Sequence, residues 1–473
     1  MTDQSPIIDK ADPASAAKPR ILFFARGYQA GFYPELEDER YEAIYVTLTR
    51  EEAAKVRAKG RKVTACFEED YASISAAEVP ANYLLTSFMS ERFLGRYDQS
   101  TRLEILGKEI AFWRQLIDTY EPIAVVNELI AIEISEVLLI EARKRQITYL
   151  APMYCLVEGL FYWLPDPLTL SGRALDLPEP SDASLALADA YIEQVMQSDY
   201  KPYYVRNLAG RRNLKPLLTG IAKSALWRWR DRQSRDASQP GAFRYETYTE
   251  EYSKRPQVFA ASFRHAYDAL SDIPEDREIV LYPLHQEPEA TLNYMSEFMA
   301  NQVATIENIL KCLNPHQTLV VKEHPVDKGS LLRPKFRAIR ELYSNLVFLP
   351  AEVHSREVLA RCDRVVTLTS SVGWEAACLG KSVCVMGEIF WDSVPGVTQI
   401  VSWQELRSAM RTPVDQMERV SPDAARHFVA SLVEASLPGR PLPNPKLYEA
   451  ENIALVRDAI AIGAGIAARG AES

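Results

Sequence analysis

From Pro19 onward the chain alternates short apolar runs with longer amphipathic stretches, the pattern of parallel strands buried on both faces and joined by helices. In the first half, Arg20–Ala25 reads as a strand that stops at Arg26-Gly27-Tyr28, and Tyr41–Leu48 reads as a second strand before a helix over Glu51–Lys59. Tyr83–Phe88 continues the alternation. Leu103–Tyr120 has the period of a helix, with Trp113 and Leu116 on its apolar side, and Ile123–Val126 is a strand that ends in Asn127-Glu128. A helix over Ile132–Lys144 and strand segments at Ile147–Leu150 and Tyr154–Gly159 complete the expected first sheet. In the second half, strands are expected at Glu278–Pro283, Thr318–Val321, Arg364–Leu368 and Cys384–Met386. Between and after them run helices at Met299–Leu313, Phe336–Tyr343, Gly373–Leu379 and Trp403–Met410, the last capped by Ser402. Pro422–Leu432 and Pro445–Ile462 read as helices that close the second domain.

The fold class is therefore α/β, with two domains each built on a parallel sheet. The expected boundaries are a lead-in without order at 1–18, a first domain at 19–165 and a helical insertion or linker at 166–272. A second domain follows at 273–440, with a terminal helix and tail at 441–473.

In open α/β sheets ligands sit beyond the carboxyl ends of the strands, which is where polar groups gather in this chain. The Thr318–Val321 run ends in Lys322-Glu323-His324-Pro325, and the Arg364–Leu368 run ends in Thr369-Ser370-Ser371 before a helix expected to start at Gly373. A helix N-terminus beside two hydroxyls favours a phosphate, with Ser370, Ser371 and the N–H at Gly373 as donors, and His324, when protonated, offers a cation or a hydrogen-bond donor. Glu375 is placed to accept from ribose hydroxyls; ordinary capping by a Ser and a nearby Glu explains the same residues. The loop after the Glu278–Pro283 strand holds His285, Gln286, Glu287 and Glu289. His285 and Glu289 are candidates for proton transfer and Gln286 for binding sugar or phosphate; the alternative is an exposed turn that caps a helix. In the first domain Glu128 is the candidate general base, with Asn127 orienting it and Arg26 and Tyr28 on the acceptor side, against the alternative that Glu128 caps the next helix. Phe390-Trp391-Asp392 reads as exposed aromatics fit to stack on a base or sugar, and Ser355 as a helix cap after His354.

The segments LYPLHQEPEAT at 281–291, KEHP at 322–325 and SSVGWEAACLGKSV at 370–383 resemble the bacterial capsule polysaccharide biosynthesis family, whose members include transferases of CMP-activated Kdo. The resemblance implies a GT-B-like architecture of two Rossmann-like domains facing a central cleft, with nucleotide held by the second. It also implies a CMP-linked nucleotide-sugar as co-substrate, no cofactor, and a glycan or lipid-linked acceptor. Where related retaining transferases have Gln-Val-x-x-Asp-x-Ser, this chain has Gln286 and Thr291 at matching places, and Glu289 is the carboxylate available for the missing Asp. The expected chemistry is metal-independent transfer, with His324, Ser370, Ser371 and the helix terminus stabilising the departing phosphate. Similarity of the His-Pro and Ser-Ser turns to polyol-phosphate transferases leaves CDP-glycerol chemistry as an alternative, and a non-catalytic module of capsule assembly as another.

Composition narrows the partners. The 473 residues are 47% hydrophobic and 25% charged, with a formal net charge of −10, which argues against a general nucleic-acid binder. Six cysteines without a CxxC pair suit reduced thiols in the cytoplasm. No secretory pattern or run of eighteen apolar residues appears. One stretch runs against the acidic balance: at 206–235 Arg and Lys alternate with Leu and Trp at helical spacing, fit either for an anionic membrane surface or for packing on the core with its charges solvated.

Overall fold

The computed structural model describes residues 18–466, apart from 84, 91–93, 95–96, 204–266, 288 and 326. Two parallel sheets organise it, each the centre of a Rossmann-like unit. The first contains β1 (Arg20–Phe24), β2 (Glu42–Thr47), β3 (Val63–Cys66), β4 (Ala124–Val126) and β5 (Thr148–Leu150), in the order β3-β2-β1-β4-β5. Alternation along β1 divides its core. Leu22 and Phe24 pack with Trp113 and Ile110 of the helix Gln99–Tyr120, while Ile21 and Phe23 face the other side. Burial on both faces is what makes β1 read as an uninterrupted apolar run.

A small antiparallel sheet follows, formed by β6 (Pro152–Tyr154) and β7 (Leu160–Trp163) with a later strand. The second parallel sheet contains β8 (Glu278–Pro283), β9 (Gln317–Lys322), β10 (Leu346–Leu349), β11 (Arg364–Thr367), β12 (Ser382–Val385) and β13 (Val397–Gln399), in the order β10-β9-β8-β11-β12-β13. Val280, Tyr282, Leu319 and Val321 pack on one face with the helix Gln302–Cys312. Leu281, Val320 and Val365 pack on the other, in the same core as Trp374, Trp391 and the helices Asp182–Met196 and Pro422–Glu434. β14 (Leu437–Pro438) then joins β7.

Several expectations from the sequence are corrected. The third strand of the first sheet is β3, not Tyr83–Phe88. Around the latter segment, the N–H groups of Thr86 and Ser87 donate to the Glu136 carboxylate, and Tyr83 Oη donates to Glu141. Tyr154–Gly159 does not extend the first sheet, because Pro152–Tyr154 pairs antiparallel with β7. Phe390, Trp391 and Asp392 are buried, so no aromatic platform is exposed there. The final helix, Ala450–Gly463, does not close the second unit: Val456 and Ile460 pack beneath Ile21 and Phe23 of the first sheet. The chain thus returns to its starting unit. The lead-in at 1–17 and the basic stretch at 206–235 lie outside the described residues. Among the described residues no helix is long and apolar enough to cross a membrane.

Candidate functional site

In each parallel sheet the chain runs outward from a central strand, then returns to that strand's other side, leaving a switch point where flanking loops diverge. In the second sheet this point lies between β8 and β11. His285, just after β8, is 4% exposed and spans it: the Thr369 N–H, just after β11, donates to His285 Nε2 at 3.2 Å. Nε2 is therefore the acceptor and Nδ1 carries the proton, an assignment made from the hydrogen-bond network. Burial, with nearby His324 adding to it, pushes the His285 pKa down to about 3. The backbone around His285 is clamped by Gln302, whose Oε1 accepts from His285 N–H at 2.7 Å while its Nε2 donates to His285 O at 3.0 Å.

Beyond β9, Lys322 is buried and its Nζ donates to Glu323 O at 3.2 Å. Burial lowers its pKa to about 8, resisted by Glu323, Glu375 and Glu352 and reinforced by Lys201. Burial, with Lys322 adding to it, pushes His324 down to about 4, so near neutral pH His324 offers an N–H and a lone pair, the hydrogen-bonding alternative of the two roles read from the sequence.

After β11 the helix begins at Ser371, not at Gly373. Ser370 is its cap, with Oγ accepting from Val372 N–H at 3.3 Å. Gly373 serves packing: a Cβ there would lie 2.6 Å from Trp391 and 2.8 Å from the Thr367 methyl. Glu375, one turn on, is buried and accepts from Ser355 Oγ at 3.2 Å. Burial raises its pKa to about 7, with Arg356 and Lys322 opposing. Ser355 is not the cap of its helix; His354 is, its Nδ1 accepting from Arg356 N–H at 3.2 Å. Glu289, just before the short helix Ala290–Asn293, is likewise pushed to about 7 by burial, and Gln286 is half-buried.

The first sheet repeats the arrangement between β1 and β4. Arg26, 2% exposed, donates from Nη2 to Glu128 Oε1, and Gln29 Nε2 donates to Glu128 Oε2 at 3.4 Å. Glu128 does not cap the following helix, whose first turn has no side-chain cap. Asn127 donates from Nδ2 to Tyr149 Oη at 2.7 Å, so its link runs to the sheet and not to Glu128. Tyr28 Oη donates to Pro441 O at 3.4 Å, which ties this end of the first sheet to the segment returning from the second unit. Arg26, Tyr28, Asn127 and Glu128 thus gather at one end of the first sheet, while His285, Lys322, His324 and Ser370 gather at the corresponding end of the second.

Residues 244–431 match the family model described as "Capsule polysaccharide biosynthesis protein". The match covers β8 to β13 and the strand ends of the second sheet, and leaves out those of the first. No curated protein matches the chain. Among solved structures, the chain is similar to the KpsC beta Kdo 2,4 transferase of Thermosulfurimonas dismutans, at 14% identity and a TM-score of 0.32, over 68% of this chain and 82% of that one. It is also similar to the KpsC beta Kdo 2,7 transferase of the same organism, at 12% identity and a TM-score of 0.32, over 74% and 89%. The alpha,alpha-trehalose-phosphate synthase (UDP-forming) of Burkholderia vietnamiensis aligns at 11% identity and a TM-score of 0.33, over 96% and 98%.

Within the matched segment, sequence reading missed two residues that shape the site. Gln302 and Arg356 both sit near helix starts, where a polar residue reads as solvated, yet Gln302 is fully buried and Arg356 is 8% exposed. The helical period puts Gln302 on the same face as the buried Ile306, Ile309 and Leu310, and Arg356 on the same face as Leu359, so this register was the signal that could have found them.

Proposed function

We propose that the protein is a metal-independent GT-B glycosyltransferase of capsular polysaccharide synthesis, moving Kdo or a related acidic sugar from a CMP-activated donor to a glycan or glycolipid acceptor. The observation that carries this reading is the meeting of Lys322, His324, His285 and the Ser370-Ser371 helix start at the switch point of the second sheet. The positive end of that helix and the Lys322 ammonium favour the negative charge that builds on a departing nucleotide phosphate. His324 donates an N–H to the same charge. Glu375 lies beyond the phosphate position as an acceptor for ribose hydroxyls.

On the acceptor side Glu128 takes the proton as the acceptor oxygen attacks the anomeric carbon, while Arg26 and Gln29 hold the carboxylate in place. Glu289, with its pKa raised to about 7 by burial, is a further carboxylate suited to exchange a proton near neutral pH. The basic stretch at 206–235 serves this reading as a contact to the anionic membrane face that presents a lipid-linked acceptor. The protein then works in the cytoplasm, on the inner face of the membrane.

The test is release of CMP from CMP-Kdo in the presence of capsular glycolipid acceptor, followed by mass analysis of the product. Transfer of the sugar without phosphate supports the reading. A product that gains glycerol phosphate from CDP-glycerol, or no turnover with any donor, overturns it. Glu128→Gln is expected to lower turnover by about 100-fold or more with nucleotide affinity unchanged.

A further inference from the structure

Arg356 follows Ser355 in the helix Ser355–Arg361, yet its guanidinium is turned inward. Nε and Nη2 are both buried, and among the described residues neither has a hydrogen-bond partner. These two nitrogens form the side-on edge of a guanidinium, whose parallel N–H bonds match the two oxygens of a carboxylate or phosphate. The nearest anion is Glu375, with Oε2 3.7 Å from Nε, beyond a hydrogen bond, and the same oxygen already accepts from Ser355 Oγ. The Tyr200 ring lies 5.6 Å from the guanidinium carbon. Lys322 acts on the same Glu375 carboxylate, and around Lys322 in turn stand Lys201, Glu352 and Glu323, the last itself engaged by Tyr267, Ser330 and the Leu331 N–H. Leaving two charged donors buried and unmatched is costly, and a shorter or uncharged residue would avoid the cost.

We propose that Arg356 is a specificity-determining residue that binds an oxyanion of the donor, side-on through Nε and Nη2. The oxyanion is the nucleotide phosphate or the carboxylate of an acidic sugar. This rests on the donor-site reading above.

The experiment is calorimetric titration of the full chain and of Arg356→Lys and Arg356→Met with CMP, cytidine and a CMP-activated acidic sugar, with His324→Ala and Ser371→Ala in the same series. If the oxyanion is the phosphate, both Arg356 variants bind CMP at least tenfold more weakly, with cytidine unchanged. If it is the sugar carboxylate, CMP is unchanged and the acidic donor loses at least tenfold. Either result supports the proposal. Binding of both ligands within twofold of wild type in both variants overturns it. Should that happen while His324→Ala and Ser371→Ala still weaken CMP, the donor site stands and only the role of Arg356 falls. A wild-type chain that binds no ligand overturns both. Arg356→Lys keeps the charge and decides the matter if Arg356→Met melts early.

Discussion

His285 and Thr369 lie 84 positions apart, and the bond from the Thr369 N–H to His285 Nε2 pins together the two loops that diverge at the switch point of the second sheet. Arg26 and Glu128 do the same across the first sheet, 102 positions apart. Each pair fixes the spacing of the loops that carry the proposed chemistry. Because His285 is an acceptor held in place, His285→Ala is expected to leave the Thr369 N–H buried and unpaired and to cost about 1–3 kcal/mol in urea denaturation. With its pKa near 3, His285 contributes no titration step to activity between pH 5 and 8. A variant as stable as wild type, or a wild-type profile that loses a step when His285 is replaced, contradicts this.

Nucleotide affinity is expected to rise as the pH falls from 8.5 to 7. Lys322, at about 8, gains its proton over this range, and Glu375, at about 7, begins to lose its negative charge. Both changes favour an incoming oxyanion. His324, near 4, stays neutral. A nucleoside monophosphate has its second ionisation near 6 and is fully charged over most of this window. Titration with CMP at pH 7 and 8.5 should differ by roughly five- to tenfold, and Lys322→Met should flatten the difference.

Ser370 and Ser371 are separable. Ser370→Ala removes the cap that holds Val372 N–H and should cost about 1 kcal/mol in thermal or chemical unfolding. Ser371 is half-buried at the first helical position, so Ser371→Ala should change stability by less than about 0.5 kcal/mol while weakening CMP. Equal stability losses in both variants would show that the two hydroxyls do the same structural work.

Gly373→Ala is expected to destabilise by about 1–3 kcal/mol, because the new methyl meets the Trp391 ring and the Thr367 side chain, both fully buried. The shift should be visible in melting and in the intrinsic fluorescence of Trp391. A neutral effect would mean that the Trp391 ring moves aside without cost.

The strands of the second sheet, the turns that follow them and the clustering of His, Lys and Ser at their ends were legible in the sequence. A strand buried on both faces must be apolar throughout, and the polar residues that end it mark where the sheet stops. The family segment was legible for the same reason, since its motifs are contiguous. Periodicity reports that a residue is buried or solvated locally, but not what it packs against. Val63–Cys66, an edge strand with only half-buried residues before Cys66, lacked the apolar run that marks β1. Phe390 and Trp391 read as exposed because no local pattern shows Trp374 and Phe428 arriving from distant helices to cover them. The last helix has the apolar stripe of any closing helix, and only the packing of Val456 and Ile460 under Ile21 and Phe23 decides which unit it closes. The sequence by itself determined two α/β units and the polar residues at their strand ends. Tertiary structure alone decided that Arg26 meets Glu128, that His285 is a neutral clamp, and that Arg356 turns inward with its donors unmatched, because the burial of a polar group is set by chain segments far from it in sequence.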